Sequence, residues 1–319
     1  MIIKFYKEED SKKWDEFVKI SFNGTFLHER KFLSYHKDRF LDKSIIIYDD
    51  KSKIIALFPA AISDNNKKVI ISHPGITYGG IITNKLYGED IIDVLKNIIE
   101  FYNKQGYEKI IYKSIPYIYH KKFSQDDLYA LFRINANRIR VDLSATINLN
   151  SEMKLRKGTK WMINKGKKSG LKIFEGDENL EGFWRILTEN LEDKYGTKPV
   201  HSIDEMRLLL NRFKNEIKCL VCKKDNEVLA GMIIFNMNNL YHTQYIANNS
   251  TAKDYGALEY LISFAIEKSK IEGKDYFDFG TNNENQGRYL NQSLYQFKKG
   301  FNAGGVVYET YQLDIKNTY

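Results

Sequence analysis

Two lysines, Lys298 and Lys299, stand in an otherwise apolar segment, Leu294-Tyr-Gln-Phe-Lys-Lys-Gly-Phe301, a short way after Tyr276-Phe-Asp-Phe-Gly280. The earlier stretch alternates with period two and reads as a buried strand that stops at Asp278 and Gly280. Asn282, Asn283 and Glu284 follow at once, and Arg288 soon after. In α/β sheets ligands collect outside the carboxyl ends of strands, so this is the expected floor of an active site. Asp278 could take up a proton or hold a substrate, or cap the loop through an Asx-type bond. Glu284 is the second candidate base. Asn282 and Asn283 could hydrogen-bond a sugar or peptide, or serve only the turn. Arg288 could pair with a phosphate through its planar fork, or lie on the surface.

The elements that must position these groups come in two similar series. Ser11 to Phe22 and Phe26 to Phe40 have helical spacing; Ser44 to Tyr48, Lys53 to Pro59 and Lys68 to Ser72 read as strands. The loop His73-Pro-Gly-Ile-Thr-Tyr-Gly-Gly80 follows, then a helix from Asp90 to Lys104 closed by Gly106, and a strand from Lys109 to Lys113. The later half repeats the order. Glu178–Asp193 and Ile203–Phe213 read as helices, then Ile217–Cys222, Val228–Phe235 and Leu240–Ile246 as strands. A helix from Gly256 to Lys270 precedes the strand at Tyr276. The pattern predicts a duplicated α/β unit, divided near Asp142 to Asn150 into domains 1–145 and 146–319, with the C-terminal end free to pack on the first.

Charge is concentrated. The net charge is +8, and the eight basic residues between Met153 and Ile173 equal that excess with no acid among them. Such a patch, on a basic helix within 151–172, attracts polyanions. Arg156 and Lys160, one turn apart, would project together, and Trp161 and Met162 would seat the helix. The readings are phosphate of a nucleotide- or lipid-linked precursor, the acceptor stem of a tRNA, or plain solvation. Cys219 and Cys222 lie in a strand at odd spacing, so their thiols should face opposite ways as buried structural groups. No metal site is indicated. No apolar run reaches the ~18 residues of a membrane span, and the start of the chain does not read as a signal peptide. The expectation is a cytoplasmic protein without stable membrane insertion, with the inner membrane face as a possible working place.

The repeated order, with Tyr276-Phe-Asp-Phe-Gly280 and Tyr295-Gln-Phe-Lys-Lys-Gly-Phe301, resembles the FemABX family of the GNAT acyltransferase superfamily. The segments Ile115-Pro-Tyr-Ile-Tyr-His120 and Asp126-Asp-Leu-Tyr-Ala-Leu-Phe132 are more like its surface-polysaccharide relatives. The resemblance implies a tandem GNAT-like fold of mixed sheets flanked by helices. It implies transfer of an acyl or aminoacyl group onto an amine of a cell-envelope precursor, an amino sugar of a polysaccharide or a peptidoglycan peptide. Acceptor binding would fall to the first domain and donor binding to the second. No Ser/His or Cys/His pair stands out, so direct attack is expected.

Lys298 matches the family lysine proposed to stabilise the oxyanion; alternatively it snorkels along aromatics. Tyr241 and Tyr245, on one face of a strand by alternation, could donate to the acyl group or pack in the core. Tyr78 would face the acceptor, unless its loop is only turn chemistry. The usual GNAT pyrophosphate loop is absent; Lys253 and Gly256 occupy its place. This leaves aminoacyl-tRNA and acyl-CoA both open as donor, with no permanently bound cofactor. The rival reading is an idle fold that binds nucleic acid or an envelope glycan.

Overall fold

A computed structural model describes residues 1–36 and 39–315 of the chain, the Tyr195 side chain excepted. It divides into two units. The first comprises Met1–Leu143, Asn283–Tyr289 and Val307–Tyr319; the second comprises Ser144–Asn282 and Leu290–Val306. The N-terminal part of the first unit ends at Leu143, against the expected limit at 145, and of the described residues 307–315 also cluster with it.

In the first unit the order is β1 (Ile2–Phe5), α1 (Ser11–Ile20), α2 (Arg30–Leu33), β2 (Ile45–Tyr48), β3 (Ile54–Phe58), β4 (Ala61–Ile62), β5 (Val69–Ile71), β6 (Ile82–Thr83), α3 (Glu89–Lys104), β7 (Lys109–Lys113) and α4 (Asp126–Arg133). Where one helix was expected over 26–40, the chain makes two 3-10 turns around the four-residue α2, and positions 37–38 lie outside the described residues. β1 pairs antiparallel with β2, β2 with β3, and β4 with β5. The parallel pair is β5 with β7, joined through α3. Apolar positions Ile91, Ile92, Leu95, Ile98, Ile99 and Tyr102 give α3 one greasy stripe. That stripe packs on Ile45, Phe58, Ile70 and Ile110.

The second unit begins within β8 (Asn137–Asn148) and continues with α5 (Lys157–Lys168), β9 (Lys172–Glu175), α6 (Leu180–Tyr195), α7 (Ile203–Arg212), β10 (Ile217–Lys224), β11 (Glu227–Asn236), β12 (Leu240–Asn248), α8 (Ala252–Tyr255), α9 (Ala257–Ile271) and β13 (Tyr276–Thr281). Two short strands, β14 (Asn283–Glu284) and β15 (Tyr289–Leu290), precede α10 (Gln292–Lys299) and β16 (Gly304–Asp314). β9 pairs with β10, β10 with β11 and β11 with β12, all antiparallel; β12 and β13 are parallel, joined through α9. Both units contain a parallel pair bridged by a helix, but the three-strand meander expected in the first does not form: β3 pairs with β6 in one sheet and β5 with β4 in another, whereas β9 to β13 of the second unit lie in a single sheet. The repeated parallel pair is in keeping with the tandem GNAT-type arrangement expected from the sequence.

Helices cover both faces of the second sheet. Tyr241, Phe277 and Phe279 pack with Leu261, Ile262 and Ala265 of α9 and with Ile163 of α5. On the opposite face Gly231 admits α6: a Cβ there would lie 2.3 Å from the Phe183 ring. Cys219 and Cys222 are both free and buried, and burial pushes both thiols up to about 12, so neither is a nucleophile at neutral pH. Among the described residues no helix is long and apolar enough to cross a membrane, and no cluster of His, Cys, Asp and Glu could hold a metal.

The ring of Phe277 is fully buried at the centre of this core. Phe277→Ala should destabilise the protein by about 3–5 kcal/mol, the cost of a large core truncation, read as a lower midpoint in urea unfolding followed by tryptophan fluorescence.

Candidate active site

β12 and β13 run together over only three residue pairs, Leu240–His242 against Tyr276–Asp278. Beyond His242, β12 continues to Asn248 paired with β11 alone. Two parallel strands that part company leave a wedge between them, and the polar ends of their peptides face it. An extra residue, Gln244, bulges from β12 at the start of the wedge: Ile233 is opposite Tyr245, and Ile234 opposite Thr243. A bulge bends the strand and breaks its alternation.

A pocket of about 440 Å³ opens beside this end of β12. One wall is a stripe of α6, Leu187, Asn190, Leu191 and Lys194, whose spacing of three and four keeps them on one face. Ile246, Ala247 and Asn248 form the second wall, with Asn190 Nδ2 donating to the Asn248 carbonyl at 2.7 Å. Leu258 of α9 and Leu294, Phe297 and Lys298 of α10 complete it. None of the α6 residues stood out in the sequence, because an amphipathic stripe reads as core.

Lys298 is 4% exposed. Its Nζ donates to the Gly280 carbonyl at 3.0 Å and the Thr281 carbonyl at 3.2 Å. Gly280 has φ +74°, a left-handed turn suited to glycine, and this turn presents the two carbonyls. α10 is anchored at its start: Asn291 Oδ1 accepts from the Leu294 N–H, and the Asn291 N–H donates to the Asn282 carbonyl at 2.9 Å. Burial pushes the Lys298 ammonium down to about 8, with the Asp278 charge pulling the other way. An ammonium has three protons; among the described residues two of them are met, by the Gly280 and Thr281 carbonyls. Lys299 beside it is exposed.

Asp278 is fully buried. Ser144 Oγ and Thr146 Oγ1 both donate to its Oδ1, the latter at 2.7 Å, and His242 Nδ1 lies 2.8 Å from Oδ2. Burial pushes this carboxyl upward, but the bonds from His242, Ser144 and Thr146 outweigh it and hold it below the usual carboxylate range. Its oxygens are engaged by side chains of β8 and β12, and a carboxylate held ionised in this way is a poor candidate for the base that the sequence suggested. His242, passed over in the sequence, is its partner; strand register alone brings the two together.

Other expected site residues lie elsewhere. Glu284 and Arg288 are exposed and belong to the first unit, with Asn283, and none lines the pocket. Asn283 is a turn residue, accepting from the Leu143 N–H and donating to the Gly287 carbonyl. Asn282 is buried and serves α10 through its carbonyl. Tyr78 is 1% exposed, its ring centre 4.4 Å from that of Tyr119 with the planes tilted by 47°, and so is not open to an acceptor. The bulge at Gln244 separates Tyr241 from Tyr245. Tyr241 is in the core, where burial and then Glu272 push its phenol up. Tyr245 packs on Trp184 and shares a 2.6 Å hydrogen bond with His201 Nδ1.

The basic run does form a helix, α5. Thr159, Ile163 and Gly166 face inward, and Trp161 is 61% exposed rather than seating the helix. The inward seam is set by Gly256, whose Cβ would stand 2.3 Å from the Met162 carbonyl, and by Gly166 against Tyr260. Gly256 is therefore committed to the contact with α5; Lys253 is exposed nearby. Among the described residues, Arg156, Lys157, Lys160, Lys165, Lys167 and Lys168 make no ion pair, and only Lys154 pairs, with Glu152.

Residues 153–299 match the family model described as an acetyltransferase (GNAT) domain. Across the whole fold the chain is similar to the crystal structure of FemX, with 12% identity, 97% of each chain covered and a TM-score of 0.68. It is similar also to L-PGS from Bacillus licheniformis, with 13% identity, 97% of this chain and 93% of that one covered and a TM-score of 0.63. A tandem GNAT protein from the clavulanic acid biosynthesis pathway covers 98% and 99% at 7% identity, with a TM-score of 0.51. No curated protein matches the chain by sequence. Residues 153–299 thus match a GNAT domain, and the chain as a whole has the fold shared by FemX and a tandem GNAT protein.

Proposed function

We propose that the chain is a FemX-like N-acyltransferase, moving an acyl or aminoacyl group from an activated carrier onto an amine of a cell-envelope precursor. The observation that carries this reading is Lys298, a buried ammonium at the wall of the pocket beside the parted strands. The acceptor amine attacks the carrier's acyl carbonyl, and the new C–N bond leaves negative charge on the carbonyl oxygen. Lys298 donates its third N–H to that oxyanion. Collapse breaks the C–O bond of an ester or the C–S bond of a thioester, and the proton of the new ammonium leaves with the carrier or to water. Among the described residues no carboxylate lines the pocket, and Asp278 is engaged by Ser144, Thr146 and His242. Catalysis is therefore assigned to positioning and oxyanion stabilisation.

Aminoacyl-tRNA is the preferred donor. The unpaired basic side chains of α5 suit a phosphate backbone, and Gly256 is taken up by the contact with α5 instead of cradling a pyrophosphate. The match to an acetyltransferase domain favours a coenzyme A thioester as the second reading. FemX and L-PGS, as relatives in fold, support an envelope precursor as acceptor.

Lys298→Met should lower kcat on the order of a hundredfold, as removal of one oxyanion donor does, with the melting temperature kept within a few degrees. An unchanged kcat in a reconstituted transfer assay removes the assignment. Because Lys298 is charged below about 8 and neutral above, the wild-type kcat should fall on the alkaline side near that pH. Lys298→Arg, which stays protonated, should lose that fall whatever its absolute rate. The donor is decided by RNase and salt. With a tRNA donor, RNase abolishes transfer, and the pair Arg156→Glu and Lys160→Glu raises the Kd for aminoacyl-tRNA at least tenfold while flattening its salt dependence. Transfer that survives RNase assigns the thioester.

A further inference from the structure

Tryptophan occurs three times in the chain. Trp14 and Trp184 are buried, whereas Trp161 stands exposed in the middle of α5. Charges surround it. Lys157, Trp161, Lys165 and Lys168 follow at spacings of four, four and three, which aligns them along one strip of the helix. At 3.6 residues per turn, that strip is opposite the inward seam of Thr159, Ile163 and Gly166. The Lys165 ammonium lies over the Trp161 ring, 5.2 Å from its centre. Lys165 is half-buried, while Lys157 and Lys168 are exposed. Among the described residues none of these three lysines makes an ion pair.

The strip starts beside the helix that carries Lys298. The Arg156 N–H donates to the Gly300 carbonyl at 3.0 Å, and a Cβ on Gly300 would stand 2.5 Å from Thr159 Oγ1. Gly300 is two residues beyond Lys298. From Arg156 the helix carries Trp161 about 7.5 Å further along its axis. An exposed indole among unpaired lysines is the pattern that binds single-stranded nucleic acid: a base stacks on the ring, and the cations meet the phosphates on either side. Paired bases are closed to such a ring, so a duplex does not use it. A lipid surface needs a broad apolar face, and Trp161 is the only apolar side chain on this strip.

We infer that Trp161 stacks on an unpaired nucleotide of the donor RNA, at the single-stranded 3′ end that carries the aminoacyl group. Lys157, Lys165 and Lys168 then lie against the flanking phosphates. The inference rests on the reading of aminoacyl-tRNA as donor, and it names a contact that charge alone does not make.

The test titrates the full chain with intact tRNA, with the same tRNA trimmed of its single-stranded 3′ end, and with phosphatidylglycerol vesicles. Tryptophan emission reports stacking, and the anisotropy of 5′-labelled RNA gives Kd. Intact tRNA should quench the wild-type emission. Trp161→Ala should raise the Kd for intact tRNA about tenfold and leave its salt dependence unchanged, because no phosphate contact is lost. Trp161→Phe, which keeps a ring, should bind nearly as the wild type does. Trimming the RNA should cost the wild type about tenfold more than it costs Trp161→Ala. The inference is overturned if intact tRNA leaves the emission unquenched, or if Trp161→Ala binds intact tRNA as tightly as the wild type. It is overturned also if trimming costs both proteins alike, or if the vesicles quench the emission and tRNA does not. Where RNase still abolishes transfer, any of these results removes the stacking contact alone. Transfer that survives RNase removes the donor and the contact together.

Discussion

The second unit turns on one buried ammonium held by two backbone carbonyls. Taking a lysine out of water costs several kcal/mol unless its protons are met. Here the Gly280 and Thr281 carbonyls meet two of them. Those carbonyls point the right way only because Gly280 turns left-handed, at the point where β13 shifts register against β8 between Asp278 and Thr281. The lysine reaches them only because α10 starts at Asn291, which is tied to Asn282. Strand end, turn and helix are thus one device, and a change in any of the three moves the charge.

Asp278 gives that device its electrostatic background. It is fully buried and ionised, and it lies on the same strand two residues before the carbonyl that holds Lys298. Its field raises the Lys298 pKa against the effect of burial. The carboxylate can stay charged in such a place because hydroxyls from β8 and a histidine from β12 satisfy it. A carboxylate so fully engaged gives up its basicity. What it contributes is a negative charge at a fixed place, which keeps the neighbouring ammonium protonated at neutral pH.

Strand and helix order was legible in the sequence because the signals are local: period-two runs such as Tyr276–Phe279, the stripe of α3, and glycine stops at Gly106 and Gly273. Lys298 was legible because a charge among Tyr295, Phe297 and Phe301 is an exception to its surroundings. The partners of Asp278 were not legible, since Ser144 and Thr146 lie more than 130 residues away and meet it only through strand pairing. The faces of Tyr241 and Tyr245 were misjudged for a related reason: one bulged residue, Gln244, inverts the alternation and leaves no mark in composition. Glu284 and Arg288 looked adjacent to the lysine in a short polar loop, but the chain passes into the first unit after Asn282.

The two copies differ at the very place where the second has its opening. In the first, β5 and β7 also run parallel for three residues, yet the chain does not then part. Ser72 donates its N–H to the Ile111 carbonyl and accepts from the Lys113 N–H through Oγ, and the Gly79 N–H returns to the Lys113 carbonyl. The returning loop packs so closely that a Cβ on Gly79 would stand 2.0 Å from the Ser72 carbonyl oxygen, and Gly80 lies against the Tyr112 ring. Glycine at these positions is therefore the means by which the wedge is filled. With its strands stitched shut, the first unit lacks at this position the opening that the second has beside β12.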